Sequence, residues 1–157
     1  MSAGVAESVG LARARGAAIV AQCGTDRRHG PLKRLSGLEW LARKGRLTPA
    51  QKAAGERYGV LWRRVEAAAR IGSSLDMNFG GSRDHDVPAA AEARARDIQH
   101  LKDLRAQLHG QTDMVAACDQ ICGGELTPRE VCINGVQAAR LEGVLRVALD
   151  LMVSGDT

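Results

Sequence analysis

Apolar residues recur at spacings of three and four along most of the chain, which is the pattern of helices that bury one face. The pattern predicts helices at 37–44, from 49 to about 70, at 89–109, from about 112 to 122, and at 136–153. The buried face of the first helix would carry Leu38 and Leu41, and that of the second Ala54, Tyr58, Leu61, Val65 and Ala68. The buried face of the third would carry Ile98, Leu101, Leu104 and Leu108, and that of the fourth Met114, Val115, Cys118 and Ile121. We therefore predict an all-α fold of about five helices.

Capping residues mark three helix starts. Each has a serine or threonine whose hydroxyl can accept a hydrogen bond from the backbone N–H three positions on. The residue at that position is a glutamate or glutamine, whose side chain can accept from the backbone N–H of the serine or threonine. In two of them a proline occupies the first helical position, where its missing N–H costs nothing. The three groups are Ser36 with Glu39, Thr48 with Pro49 and Gln51, and Thr127 with Pro128 and Glu130.

Glycine content and charge divide the chain into four parts. A helix at 5–22 would be weak because Gly10 and Gly16 interrupt it. The stretch GSSLDMNFGGSRDHDVP has no sustained periodicity and is typical of a linker. The predicted parts are an arm or weak helix at 1–35, a basic helical segment at 36–71, a Gly/Ser-rich linker at 72–88, and a helix-turn-helix module at 89–157.

Composition narrows the class of protein. The chain has 157 residues, of which 45% are apolar but only 3% aromatic, so the core must consist mainly of alanine, leucine and valine. Trp40, Tyr58, Trp62 and Phe79 are the few large side chains available to it. No apolar run reaches the roughly 18 residues of a membrane span, and the N-terminus lacks the order of a signal peptide. We expect a cytoplasmic protein with reduced thiols.

Charge is unevenly distributed. Residues 1–71 carry 14 Lys or Arg against 5 Asp or Glu, a balance of +9, whereas residues 72–157 carry 8 against 13, a balance of −5. A basic half favours a polyanionic partner, of which nucleic acid is the commonest.

The segment from 126 to 150 has the pattern of a helix-turn-helix. A short helix at 128–133 is followed by Asn134 and Gly135, which accept a left-handed turn, and then by the helix at 136–153. A helix-turn-helix needs such a turn to hold its second helix out for entry into a DNA groove. The inner side of the pair would bury Val131, Val136, Leu141, Val144, Leu145, Ala148, Leu149 and Met152.

Two resemblances are specific enough to name. ELTPREVC followed by NGVQAARLEGVLRVALDLM resembles the region-4 helix-turn-helix of bacterial sigma factors, with one residue deleted from the first helix. LEWLARKGRLTPAQKAAGERYGVLW resembles an uncharacterised domain of alphaproteobacterial and phage proteins, including regulators that activate gene transfer agents. In order, Gly45 to Leu47, Gln51 to Arg57, the linker 72–88 and Leu145 to Asp150 match that domain, so the resemblance spans roughly residues 32 to 153. It implies a DNA-associated regulatory role without catalytic residues.

These patterns predict a small transcription regulator of phage or prophage type that binds DNA. Gln137 and Arg140 are the candidates for contacts with base edges or phosphates on the second helix. If six basic residues met phosphates, affinity would fall by roughly three decades between 50 and 200 mM salt. The predicted phosphate-binding residues are Arg43, Lys44, Arg46, Lys52, Arg57, Arg63, Arg64 and Arg129.

The acidic residues of the module weigh against strong DNA binding, and they leave alternatives open. Asp113, Asp119, Glu125, Glu130 and Glu142 all lie in it. The fold could instead serve a protein-binding adaptor that contacts RNA polymerase, another DNA-bound protein or a second copy in a homodimer. A structural component of a phage is a third hypothesis. The predicted phosphate-binding residues between 43 and 64 could also form only a solvated helix face.

No constellation of residues indicates an enzyme, a metal site or a cofactor. Cys118 and Cys122, with Cys132 or His109, lack the two-residue cysteine spacing typical of structural zinc and are expected to be small core residues. Other weak candidates are Cys23 with His29, the run from Asp84 to Asp86, and GGSR at 80–83, which is too short to cradle a phosphate.

Overall fold

A computed structural model describes residues 8–21, 32–75 and 87–155. Its elements in chain order are α1 (Val9–Ala14), β1 (Ile19–Ala21), β2 (Leu32–Arg34), α2 (Gly37–Arg43), α3 (Pro49–Leu75), α4 (Val87–Ala106), α5 (Thr112–Ala117), a π-helix (Cys118–Gly123), α6 (Pro128–Val131) and α7 (Gly135–Gly155). The predicted all-α class is confirmed. Over the described ranges there are seven α-helices and one π-helix rather than about five.

The three predicted caps are present because capping depends on residues close in sequence. The Ser36 hydroxyl accepts from the Glu39 N–H at 3.2 Å. The Thr48 hydroxyl accepts from the Gln51 N–H at 3.2 Å, and the Gln51 side chain accepts from the Thr48 N–H at 2.9 Å. Thr127 and Glu130 form the same reciprocal capping box.

The N-terminal arm differs from the predicted weak helix. Helix α1 ends at Ala14, and Gly16 then adopts a φ of 97°, which an L side chain rarely takes. The chain continues into a two-stranded antiparallel sheet in which Ile19 pairs with Arg34. Strands of three residues are too short to produce an alternating pattern that could be recognised in the sequence.

Two other predicted boundaries were wrong. Helix α3 continues to Leu75, so the first residues of the predicted linker are helical; residues 76–86, Asp84 to Asp86 among them, lie outside the described part. Helix α4 ends at Ala106 rather than at 109, because the N–H groups of Leu108 and His109 bond to carbonyls three residues back instead of four; His109 and Gly110 then take φ values of 51° and 70°.

The core is built from small and aliphatic side chains around Tyr58. It joins α2, α3, α4, α5, the π-helix and α7, and its fully buried members include Leu41, Leu108, Ile121, Leu145 and Leu149. Trp40 and Trp62 pack against its margin, while Phe79 lies outside the described residues. None of the helices in the described ranges is long and apolar enough to cross a membrane.

Helix α3 approaches the π-helix so closely that only glycine fits at the contact. A Cβ at Gly59 would lie 2.3 Å from the carbonyl oxygen of Cys122, and one at Gly55 would lie 2.9 Å from the methyl groups of Leu38. On the other side, a Cβ at Gly123 would meet the Trp62 ring at 2.5 Å. Gly59 of α3 and Gly123 of the π-helix therefore set the distance between these two helices, and Gly55 allows α3 to approach Leu38 of α2.

A polar network at the edge of the core joins buried Tyr58 of α3 to the partly exposed Arg105 of α4 and Asp119 of the π-helix. The Tyr58 hydroxyl donates to Asp119 Oδ1 at 2.5 Å. Arg105 donates to both Asp119 carboxylate oxygens at 3.0 and 2.9 Å, and its Nε donates to the Tyr58 hydroxyl at 3.1 Å. The network ties α3, α4 and the π-helix together, and it satisfies a phenol that has no access to water.

We expect Tyr58 to resist ionisation in the folded protein. Burial raises the pKa of its phenol above the ordinary value, so its contribution to stability is complete below pH ~10 and is lost as pH rises through the folded pKa. Because it is the only tyrosine, phenolate absorbance in an alkaline titration reports this residue alone. The absorbance should appear together with the loss of helical circular dichroism. Ionisation near pH ~10 with native circular dichroism would contradict the described burial, and the urea-unfolded chain is the control.

Candidate nucleic-acid interface

The segment from 128 to 155 has a short helix, a turn and a longer helix in the predicted order. After α6, Cys132 is extended, with a φ of −119°. The Asn134 side chain accepts from the Val136 N–H at 2.9 Å, and the Asn134 carbonyl accepts from the Ala138 N–H at 2.9 Å, so α7 starts directly after this asparagine. The turn thus forms without a residue of positive φ at Asn134 or Gly135.

Helix α7 buries a different face of its first turns from the one expected. Val136 was predicted to be buried but is 77% exposed, whereas Ala138, which was not among the residues predicted to be buried, is only 5% exposed. Positions 136 and 138 lie about 200° apart around a helix, so burying Ala138 turns Val136 outward. Gln137 and Arg140 are exposed as predicted, and Gly143, on the face of Val136 and Arg140, has open space around it.

Glu142 lies on the inner side of α7 and is paired there. The residue is 8% exposed, and its Oε2 is 2.5 Å from Nη1 of Arg46. Arg46 also lies over the Trp40 ring at 5.9 Å from its centroid. The Glu142 carboxylate, which was counted from the sequence as unfavourable for DNA binding, is therefore paired with an arginine from the turn between α2 and α3.

Three more acids of the module are paired in the same way. Arg105 holds Asp119, and Arg34 of β2 holds Glu130, whose other oxygen accepts from the Thr127 N–H. Arg63 lies 3.2 Å from Glu125. Glu125, Glu130 and Glu142 are thus paired with arginines from residues 1–71, so the acidic balance of residues 72–157 does not describe the charge around the start of α7.

A groove with basic walls runs beside the start of α7. Three adjoining cavities of about 500, 570 and 550 Å³ form it, and Arg13 lines all of them. Gly135, Ala138 and Ala139 supply the side formed by α7. We call this feature the basic groove, and the residues that define it are Arg13, Trp40, Lys44, Arg46 and Arg129.

Contacts of the N-terminal arm with α6 place Arg13 in the groove. The Thr127 hydroxyl donates to the Gly16 carbonyl at 2.8 Å, and a Cβ at Gly16 would lie 2.6 Å from the Cβ of Arg129. Glycine at position 16 therefore allows both the positive φ and the close approach. Sequence reasoning missed Arg13 and Arg15, which line the first cavity, because nothing in the sequence showed where the predicted weak helix packs. Their basic charge was the available signal.

The structure brings together only part of the predicted phosphate-binding set. Lys44, Arg46 and Arg129 line the groove, and Arg43, which pairs with Glu39 at 3.0 Å, lies at one end of it. Among the described residues, Arg13, Lys44, Arg129 and Arg140 have no acidic partner.

The remaining predicted residues lie on α3, away from the groove. Lys52 pairs with Glu56 at 3.3 Å, and Arg57 and Arg64 are exposed. Arg63 donates to the carbonyls of Cys122 and Gly123 at 3.1 and 3.3 Å. These carbonyls end the π-helix and lack partners within it, so Arg63 serves as their donor.

The three cysteines in the described ranges do not converge on one site. Cys118 and Cys122 are buried neighbours, and a hydrogen bond with Cys118, together with burial, raises the pKa of the Cys122 thiol. Cys132 instead lines the first cavity of the basic groove. The described ranges contain no group of three or more potential metal ligands; Cys23 and His29 lie outside them.

Comparisons of the chain with protein-family models, with curated proteins and with solved structures found no match. The resemblances therefore rest on the order and spacing of the quoted motifs.

Proposed function

We propose that this chain is a small transcription regulator that binds duplex DNA through the start of α7. The outer face of its first turns, with Gln137 and Arg140, would enter the major groove, while Arg13, Lys44 and Arg129 hold backbone phosphates alongside. One observation carries the proposal: basic residues without acidic partners surround the start of α7, whereas Glu130 and Glu142 beside them are both paired.

Chemistry supports the division of roles. Arginine can donate two hydrogen bonds to guanine and glutamine can pair with adenine, whereas phosphate contacts need only positive charge in the right place. The small residues Ala139 and Gly143 leave room beside Gln137 and Arg140. The phage or prophage character of the regulator rests on the resemblances alone.

The test is a salt titration of duplex binding by the variant R13A/K44A/R129A. Because counterion release scales with the number of phosphate contacts, losing three should lower the slope of log affinity against log salt by about 3. If the two proteins bind equally at about 1 M salt, this change in slope lowers the affinity by roughly a hundredfold near physiological salt. Fluorescence anisotropy with a labelled mixed-sequence duplex measures both quantities.

The matched control is R94A/R96A/K102A, which removes three exposed charges from α4. This variant should keep nearly the original slope because α4 is not part of the groove. Equal losses in both variants would show a diffuse effect of net charge and refute the proposed surface. If the original protein binds no duplex even at low salt but captures a protein partner, the adaptor hypothesis replaces the regulator.

A further inference from the structure

Two aliphatic side chains project from the turn at the start of α7. Ile133 is 107% exposed and Val136 is 77% exposed, more than any other large apolar residue in the described ranges. Single exposed apolar residues are common on protein surfaces, but these two are three positions apart and lie beside the proposed DNA-reading residues. Their position therefore calls for a partner with apolar groups at the same place.

Charge surrounds the pair. Arg140 follows Val136 by one helical turn on the same face, and Gln137 lies next to it. Arg129 and Ile133 line the same cavity. A fitting partner thus offers a small apolar group flanked by negative charge.

The size of the patch argues against a protein partner. A stable interface needs roughly 800 Å² and 20 to 30 residues on each side, usually with aromatic anchors. Here there are two aliphatic side chains, and the aromatic residues of the described chain are buried or half-buried. The DNA major groove has the required chemistry, because the thymine C5-methyl group is an apolar contact between two rows of phosphates.

We propose that Ile133 and Val136 contact thymine methyl groups, so that the chain selects duplexes with thymine close to the guanine read by Arg140. The inference rests on the proposed function and names the DNA that it binds. Val136 and Arg140 are about 6 Å apart along the helix axis, and base pairs are about 3.4 Å apart. The selected thymine and guanine should therefore lie within one or two base pairs of each other.

The test begins with selection of preferred duplexes from a random pool. Each thymine of the selected site is then replaced by deoxyuracil, which removes the methyl group and leaves base pairing unchanged. At one or two positions, the replacement should weaken binding roughly fourfold, the value for one buried methylene-sized group. Anisotropy at a fixed salt concentration measures each duplex.

Protein variants connect the effect to these side chains. I133A/V136A should bind thymine and deoxyuracil duplexes equally, whereas V147A, on the same face about three turns further along α7, should keep the discrimination. Both changes are at exposed positions, and circular dichroism checks the fold. Duplex binding with no deoxyuracil effect overturns this inference and leaves the proposed function standing. An absence of duplex binding overturns both.

Discussion

Replacing Gly59 with alanine should destabilise the protein by about 2 kcal/mol. The same change inside a helix ordinarily stabilises by roughly 0.5–1 kcal/mol, because glycine loses more backbone freedom on folding. At this position the new Cβ would lie 2.3 Å from the Cys122 carbonyl oxygen and 3.0 Å from its carbon. Backbone atoms cannot move aside as a side-chain end can, so α3 and the π-helix must separate, and the clash outweighs the propensity gain.

Gly143→Ala is the matched control for this prediction. Gly143 is also inside a helix, but nothing lies within 4 Å of its would-be Cβ. Here only the propensity term acts, and we expect stabilisation of about 0.5–1 kcal/mol. Urea unfolding followed by circular dichroism gives both free energies. Stabilisation of similar size in the two variants would contradict the close packing of α3 on the π-helix.

Asp119→Ala should cost about 2 kcal/mol of unfolding free energy. The change removes the acceptor of the Tyr58 hydroxyl and the carboxylate that binds Arg105 in two hydrogen bonds. Tyr58 is fully buried, so its donor would lose its partner where water cannot reach it. Arg105 would lose its carboxylate partner, but its side chain is 36% exposed, so water can solvate the unpaired guanidinium. The cost therefore stays below that of breaking a fully buried ion pair.

Asp103→Ala provides the comparison for the Tyr58 network. Asp103 accepts a hydrogen bond from Gln99 at 2.8 Å on the exposed side of α4, so its loss should change stability by less than about 0.5 kcal/mol. Thermal or urea unfolding separates the two variants. Equal and small effects would mean that the Tyr58 network does not hold α3, α4 and the π-helix together.

Much of the fold was predictable because its determinants are local. Ser36, Thr48 and Thr127 start their helices through partners three positions on. Apolar spacing identified the core face of α3 and, on α4 and just after it, Leu101, Leu104 and Leu108, whereas Ile98, which was also predicted to be buried, is 41% exposed because α4 packs on the core only through its second half.

The failures lie where local signals are weak or conflicting. The turn at Gly16 packs against the start of α6, and the two three-residue strands pair with each other, so neither depends on a local signal. The buried face at the start of α7 was assigned wrongly because Val136 and Ala138 are both compatible with burial.

The candidate site divides in the same way. Gln137, Arg140, Lys44 and Arg129 were predicted as DNA-binding residues from residue type and position. The sequence could not show that Arg13 lines one cavity with Lys44 and Arg129, or that Arg63 donates to the π-helix carbonyls. Nor could the sequence show which charges cancel each other.

Residue order along the chain determined the helical class, the capped helix starts and the basic and acidic halves, since each depends on composition or on neighbours within one turn. The tertiary structure decided which of those charges remain available. Arg46 meets Glu142, and Arg34 meets Glu130, across 96 residues in each case. Pairing over such a separation depends on how the helices pack, and it leaves the outer face of α7 with Arg140 while turning Glu142 inward.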